Sequence, residues 1–266
     1  MSAIAVAHIL RPRWSERQSI RDRKVKFALS DKPTSQLLLI ADNCYAARAE
    51  ITKVRQSAQT LRAELAKSES YDLAWRLSRA LFFLGQEERA VKPVPPQSLA
   101  AQLELTRDLH TAGADAGRRA IAQQPQRVEG LFWTGVNLAL LAAVEPRRRA
   151  LVHVLQAQRA LQKAIAIEPE YHAAGPLRVL GRLQHKIPRL LGGGQRRALT
   201  NFERAIAHAP MNTVTRIYFA ELLLDMGERD RAAAQLETIL RAPLDPEWNF
   251  EISRDQIRAK EMISGT

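Results

Sequence analysis

The sequence predicts an all-α protein, an α-solenoid of helix pairs with irregular inter-helix loops, and three observations carry that prediction. One segment recurs: Ala157, Leu161, Ala164 and Pro169 stand at the same offsets as Ala198, Phe202, Ala205 and Pro210, with a weaker copy in Gly113, Gly117, Ala120 and Pro125. Offsets of four and three residues put the small or apolar side chains on one helical face, and the proline ends the helix once it has left that face. An apolar helical stretch precedes each copy, over residues 71–84, 128–143 and 171–186, and a fourth runs over 213–226. No stretch with the two-residue period of a strand competes with these.

Taken in order, residues 1–35 carry eight basic and three acidic residues and read as a poorly ordered basic leader. Its first ten residues hold no basic side chain and Arg11 and Arg13 follow, which inverts the order of a secretory signal. The apolar run 37–40 ahead of Cys44 is too short for a lipoprotein signal. The chain therefore reads as soluble and cytoplasmic. Residues 36–70 form a cap, one long amphipathic helix or a helix pair, from Leu38, Ala41, Tyr45, Ala49, Val54, Leu61 and Leu65. Four helix-pair units fill 71–246. In the first, the prolines at 93, 95 and 96 separate the two helices, because consecutive prolines favour an extended linker. The second and third units carry insertions at 145–149 and 188–194. The fourth is the most regular, with Ala220 at the helix crossing, Gly227 supplying a left-handed turn, then Ala232, Leu236 and Ile239. Residues 247–266 are a tail or a capping helix.

Composition narrows the function. A chain of 266 residues with 46% hydrophobic and 26% charged residues supports a packed core, and its one cysteine excludes a disulfide framework or multi-cysteine metal site. No apolar run reaches the roughly 20 residues of a membrane span. The six histidines lie in different units without metal-ligand spacing, and no cofactor or metal is expected. Gly192-Gly193-Gly194 lacks the lysine and the preceding strand of a phosphate-binding loop and reads as an inter-helix connection. Asp225, Glu228 and Asp230 read as a solvated turn and Cys44 as a buried thiol; no catalytic residue is assigned.

The fourth unit, with small residues where helices touch and glycine at the turn, resembles the tetratricopeptide (TPR) repeat. The segments at 71–85 and 130–142, and above all 171–210 with Gly175-Pro176, Gly181-Arg182, Pro188 and Gly192-Gly193, resemble the T-component proteins of TRAP-type (tripartite, binding-protein-dependent) transporters. The similarity extends over about residues 36–242. It implies a helical solenoid without catalysis that works beside a substrate-binding protein and itself holds a small apolar or anionic ligand, in a family whose members are commonly exported to the periplasm.

In a helix-pair superhelix the first helix of each unit lines the concave side. Aligning the first helices on Ser78, Gly135, Gly181 and Ala220 gives an inward row of Trp75, Phe132, Arg178 and Ile217. One turn on come Arg79, Val136, Arg182 and Glu221, then Phe82, Ala139, His185 and Leu224. Arg178, Arg182 and His185 fall at i, i+4 and i+7 and share a face, a spacing suited to clamping a carboxylate or phosphate, or else to a solvated or ion-paired basic face. The sequence thus favours a non-enzymatic adaptor. Its concave face takes a protein partner, such as a transporter substrate-binding subunit, or a small anionic or amphipathic ligand, with self-association left open. The alternative is sequence-independent nucleic-acid binding through residues 1–35 and the basic third unit, where residues 171–210 carry seven basic residues and one acidic.

Overall fold

The computed structural model describes residues 33–90 and 98–264. Most of the basic leader and the proline linker at 93–96 lie outside the described residues. The chain divides into two units, Met1–Ile40 and Ala41–Thr266, and every contact given below lies within the second.

Among the described residues the regular structure is helical throughout. Helices α1 (Pro33–Ala46) and α2 (Ile51–Leu65) precede four pairs: α3 (Tyr71–Ala90) with α4 (Ser98–Gln123), α5 (Val128–Ala142) with α6 (Arg147–Ile167), α7 (Tyr171–Lys186) with α8 (Gln195–His208), and α9 (Thr213–Asp225) with α10 (Arg229–Leu240). A last helix, α11 (Asn249–Ser264), closes the chain. The segment expected as a helix or helix pair is a pair, broken over residues 47–50. Two sequence boundaries shift. Helix α3 runs on to Ala90, and Arg147-Arg148-Arg149 form the first turn of α6 because Pro146, extended at φ −57° and ψ 147°, sits just ahead of a helix it starts rather than interrupts.

The recurring small residues are where the helices of a pair meet. The Ser78 hydroxyl donates to the Gly113 carbonyl at 2.7 Å. A Cβ at Gly135 would lie 2.8 Å from Leu161, and one at Gly181 3.2 Å from Phe202, so both crossings need the missing side chain. Ala157, Leu161, Ala164, Ala198, Phe202 and Ala205 are fully buried, as the repeat requires. Gly227 has φ +79°, and the turn it forms lets the Glu228 amide donate to the Leu223 carbonyl at 2.8 Å, closing α9. Asn212 caps the other end of α9 by accepting from the Thr215 amide at 2.9 Å.

The backbones of α3, α5, α7 and α9 each come close to the next in that series, whereas α4, α6, α8 and α10 meet through side chains, as Arg118 does with Gln156 and Arg231 with Glu203, both at 3.1 Å. Closer spacing along one edge bends a stack toward that edge, so the first helices line the inner side. Helix α11 packs against α10 and α9 as the first helix of a further pair would, and so continues the stack on its inner side. Its Ala259 packs with Ile217, Ala220, Leu236 and Ile239, and its N-terminal end brings Phe250 to 5.6 Å from Phe83 of α3.

Candidate functional site: an aromatic and arginine cleft

On the inner side, a cleft of about 180 Å³ forms where α1, α3, α5, α7 and the segment before α11 converge. From α1 come Asp42 and Tyr45, with Arg48 just beyond. Arg79 comes from α3, Trp133 from α5, Tyr171 and His172 from α7, and Glu247 and Trp248 from the approach to α11.

Its charges are arranged in layers. Asp42 binds Arg76 through two bonds of 2.8 and 3.0 Å and Arg79 through one of 2.6 Å. Burial works against the charged carboxylate, but Arg79 and Arg76 outweigh it and hold the Asp42 carboxyl below the usual range. Arg79 lies 4.2 Å from the centre of the Tyr45 ring, and its Nε is buried with no hydrogen-bond partner. Arg48, nearly fully buried, donates to the Glu251 carboxylate at 2.8 Å and to the Glu247 carbonyl at 2.5 Å. Burial pushes the Tyr45 phenol up to about 12, so it stays protonated.

The aromatic wall depends on an unusual piece of backbone. His172, Ala173 and Ala174 all have positive φ, at 51°, 53° and 58°, one left-handed turn at the start of α7. Every residue with a Cβ, alanine included, resists this region, so something must hold it. Arg178 supplies the hold. Buried, it donates through Nη1 to the Ala173 carbonyl at 2.8 Å and to Asn212 Oδ1 at 3.4 Å, tying the turn to the cap of α9. The turn sets the His172 ring 5.0 Å from Trp133 and 4.9 Å from Trp248, and the Trp133 indole donates to the Tyr171 hydroxyl at 3.2 Å. Burial, with the charges of Arg178, Arg79 and Arg48 adding to it, holds His172 well below its ordinary value and therefore neutral.

The ten residues singled out from the sequence fall into three groups. Arg79 lines the cleft, with Trp75 beneath it at 4.9 Å and Phe82 behind Trp133 at 5.3 Å. Phe132 is buried against Trp133, and Val136 and Ile217 are buried in the packing between helices. Arg178, Arg182, His185 and Glu221 do not form a shared open clamp. Arg178 is committed to the left-handed turn; Arg182 pairs with Glu221, which also takes Arg258; and His185 bonds Asp225 at 2.7 Å. Burial, against the pull of Asp225, lowers the His185 pKa. The basic third unit thus spends several cations internally.

Sequence reasoning missed most of the cleft. Trp133 stands one position off the inward row, and His172 reaches the cleft only through the left-handed turn, which no helical period encodes. Cys44 is half-buried, not buried. Among the described residues no group of three or more metal-ligating side chains is arranged to hold an ion, and no helix is long and apolar enough to cross a membrane. The amides of Gly192, Gly193 and Gly194 donate to the carbonyls of Arg189, Pro188 and Gln184, so the loop has none turned to an anion.

No curated protein matches this chain. A similar solved structure is the crystal structure of a thermophilic TPR protein in Thermus thermophilus, at 20% identity and a TM-score of 0.59, covering 84% of this chain and 98% of that one. That likeness shows the fold: a TPR-like helical solenoid. The family model for the TRAP transporter T-component matches residues 87–266, a stretch that runs past residue 242 and takes in α11. With well over half of its length so matched, from the end of α3 through the last helix, the chain belongs to the TRAP transporter T-component family.

Proposed function

We propose that this protein is a non-catalytic accessory of a TRAP-type transport system, binding a small organic anion in the inner cleft and working against a protein subunit of that system. One observation carries the ligand reading: Arg79, with a buried and unpartnered Nε, stands among the rings of Tyr45, Trp133 and Tyr171 in one cleft. Guanidinium groups seat carboxylates, and aromatic walls take the apolar remainder of an amphipathic molecule. Family membership supports the transport context.

Calorimetric titration with hexanoate, a short amphipathic carboxylate, tests this reading. Saturable binding is expected, with affinity at least tenfold lower in Arg79→Ala. That variant keeps its fold because Asp42 retains both bonds from Arg76. Absence of saturable binding, or equal affinity in a helical Arg79→Ala protein, overturns the assignment.

A further inference from the structure

Helix α11 occupies the inner side of the stack, where a solenoid of this kind would meet a partner, and it is the least anchored of the late helices. Of its sixteen residues only Ile252 and Ala259 are buried, whereas α9, thirteen residues long, buries seven. Ile257 on its outer side is 60% exposed. Met262 and Phe250 add partly buried apolar contact, and the rest of its attachment is polar, beginning with Gln256, which donates to the Ile239 and Ala242 carbonyls at 3.4 and 3.1 Å. Glu251 pairs with Arg48, Asp255 accepts from Thr213 at 2.6 Å, Arg254 pairs with Glu87 at 2.6 Å and Arg258 with Glu221. The link to α10 is irregular and largely exposed and contains Pro243 and Pro246, so α11 can leave without unwinding α10.

The surface beneath α11 combines charge with apolar area. Glu251 and Asp255 stand at i and i+4 on the face turned to Arg48 and Thr213, one turn behind the aromatic pair Trp248 and Phe250. Ile217, Ala220 and Ile239 underlie Ala259. The inner groove therefore reads an amphipathic helix with an aromatic leading edge, a carboxylate for Arg48, an acidic or amide side chain one turn on whose oxygen accepts from Thr213, and a small residue one turn further on. We infer that this groove is an exchangeable helix-binding site, that α11 is its internal occupant, and that the external partner is a protein presenting an acidic amphipathic helix of the same pattern. This goes beyond ligand binding in the cleft. It does place Glu247 and Trp248, which line the cleft, on the segment that departs.

The probe is a fluorescent peptide of residues 243–264, followed by anisotropy against the full chain in three forms, each with Cys44→Ser. The otherwise native chain binds weakly, being self-occupied. Phe250→Ala with Glu251→Gln loosens α11 while leaving Arg48 and the groove in place, and is expected to bind the peptide at least tenfold more tightly. Glu87→Cys with Arg254→Cys, bridged by a short bismaleimide, fixes α11 and is expected to abolish binding. A peptide with both carboxylates replaced by lysine is expected not to bind the loosened form. Should the loosened variant fail to fold, hydrogen exchange on the native chain serves instead: α11 amides are expected to exchange at least a hundredfold faster than those of α9. Equal peptide affinity in loosened and native forms, retained binding in the bridged form, or equal exchange in α11 and α9 overturns the proposal. A loosened chain that dimerises by light scattering and excludes the peptide assigns the groove to a second copy, and overturns it likewise.

Discussion

Replacing Ala173 by glycine distinguishes the left-handed turn from an ordinary start to α7. Ala173 has φ 53° and ψ 55°, squarely left-handed, and is half-buried. A residue with a Cβ is disfavoured there by roughly 1–2 kcal/mol, a penalty glycine escapes. Against that relief stand glycine's larger entropy loss on folding, roughly 0.5–1 kcal/mol, and a small loss of methyl contact. Ala173→Gly should therefore stabilise the protein by about 0.5–1 kcal/mol, as expected where alanine occupies positive φ. In a right-handed helix the same substitution would cost about 1 kcal/mol, so the two geometries differ in sign. Urea unfolding monitored by circular dichroism reads the difference as a higher midpoint at unchanged slope. The carbonyl that accepts from Arg178 is backbone and survives the change. A midpoint lowered by the equivalent of about 1 kcal/mol would refute the left-handed turn and, with it, the placement of His172 between two tryptophans.

Further outcomes follow from burial and titration. His110, fully buried and hydrogen-bonded through Nδ1 to Asn137 Oδ1 at 3.1 Å, is pushed by burial down to about 4. Its lowered pKa gives stability present above the unfolded value and lost as pH falls from about 6.5 to 4, worth about 3 kcal/mol; His110→Leu should lose that dependence in unfolding measured at pH 7 and pH 4. Asp255 has the opposite sign: burial, with Glu251 adding to it, raises its pKa to about 6 despite the bond from Thr213. Stability is present below its unfolded value near 3.8 and lost as pH rises through 6. Asp255→Asn, which keeps an acceptor for Thr213, should therefore stabilise by about 2–3 kcal/mol at pH 7 and leave pH 4 unchanged. Gly193→Ala would set a Cβ 2.0 Å from the Ile187 carbonyl oxygen, a backbone atom that cannot turn aside; a loss of about 2–3 kcal/mol in thermal or urea unfolding is expected.

The helix pairs were legible because their signals are local. A 3.6-residue apolar period, small residues at the crossings such as Gly135 and Gly181, and glycine at the close of α9 each act within a few residues. The cleft was not, because its walls come from five parts of the chain and its chief ion pair, Arg48 with Glu251, spans 203 residues. The register of α7 also misled: Arg178 stands where an inward cation belongs, yet the left-handed turn before it supplies carbonyls that draw its guanidinium inward. The position of α11 on the inner side was hidden for a different reason. Its pattern of Trp248, Phe250, Glu251 and Asp255 is an ordinary amphipathic helix until the cations it faces are known.

The most direct test of an inner cleft that binds an organic anion is the indole N–H spectrum of the isotopically labelled protein during titration with hexanoate. Trp133 and Trp248 line the cleft, while Trp75 lies outside its wall beneath Arg76 and Arg79. The resonances of Trp133 and Trp248 should move together along one saturation curve with Trp75 nearly still. Movement of Trp75 alone, or separate curves for Trp133 and Trp248, would contradict a single site formed by residues this far apart in the chain.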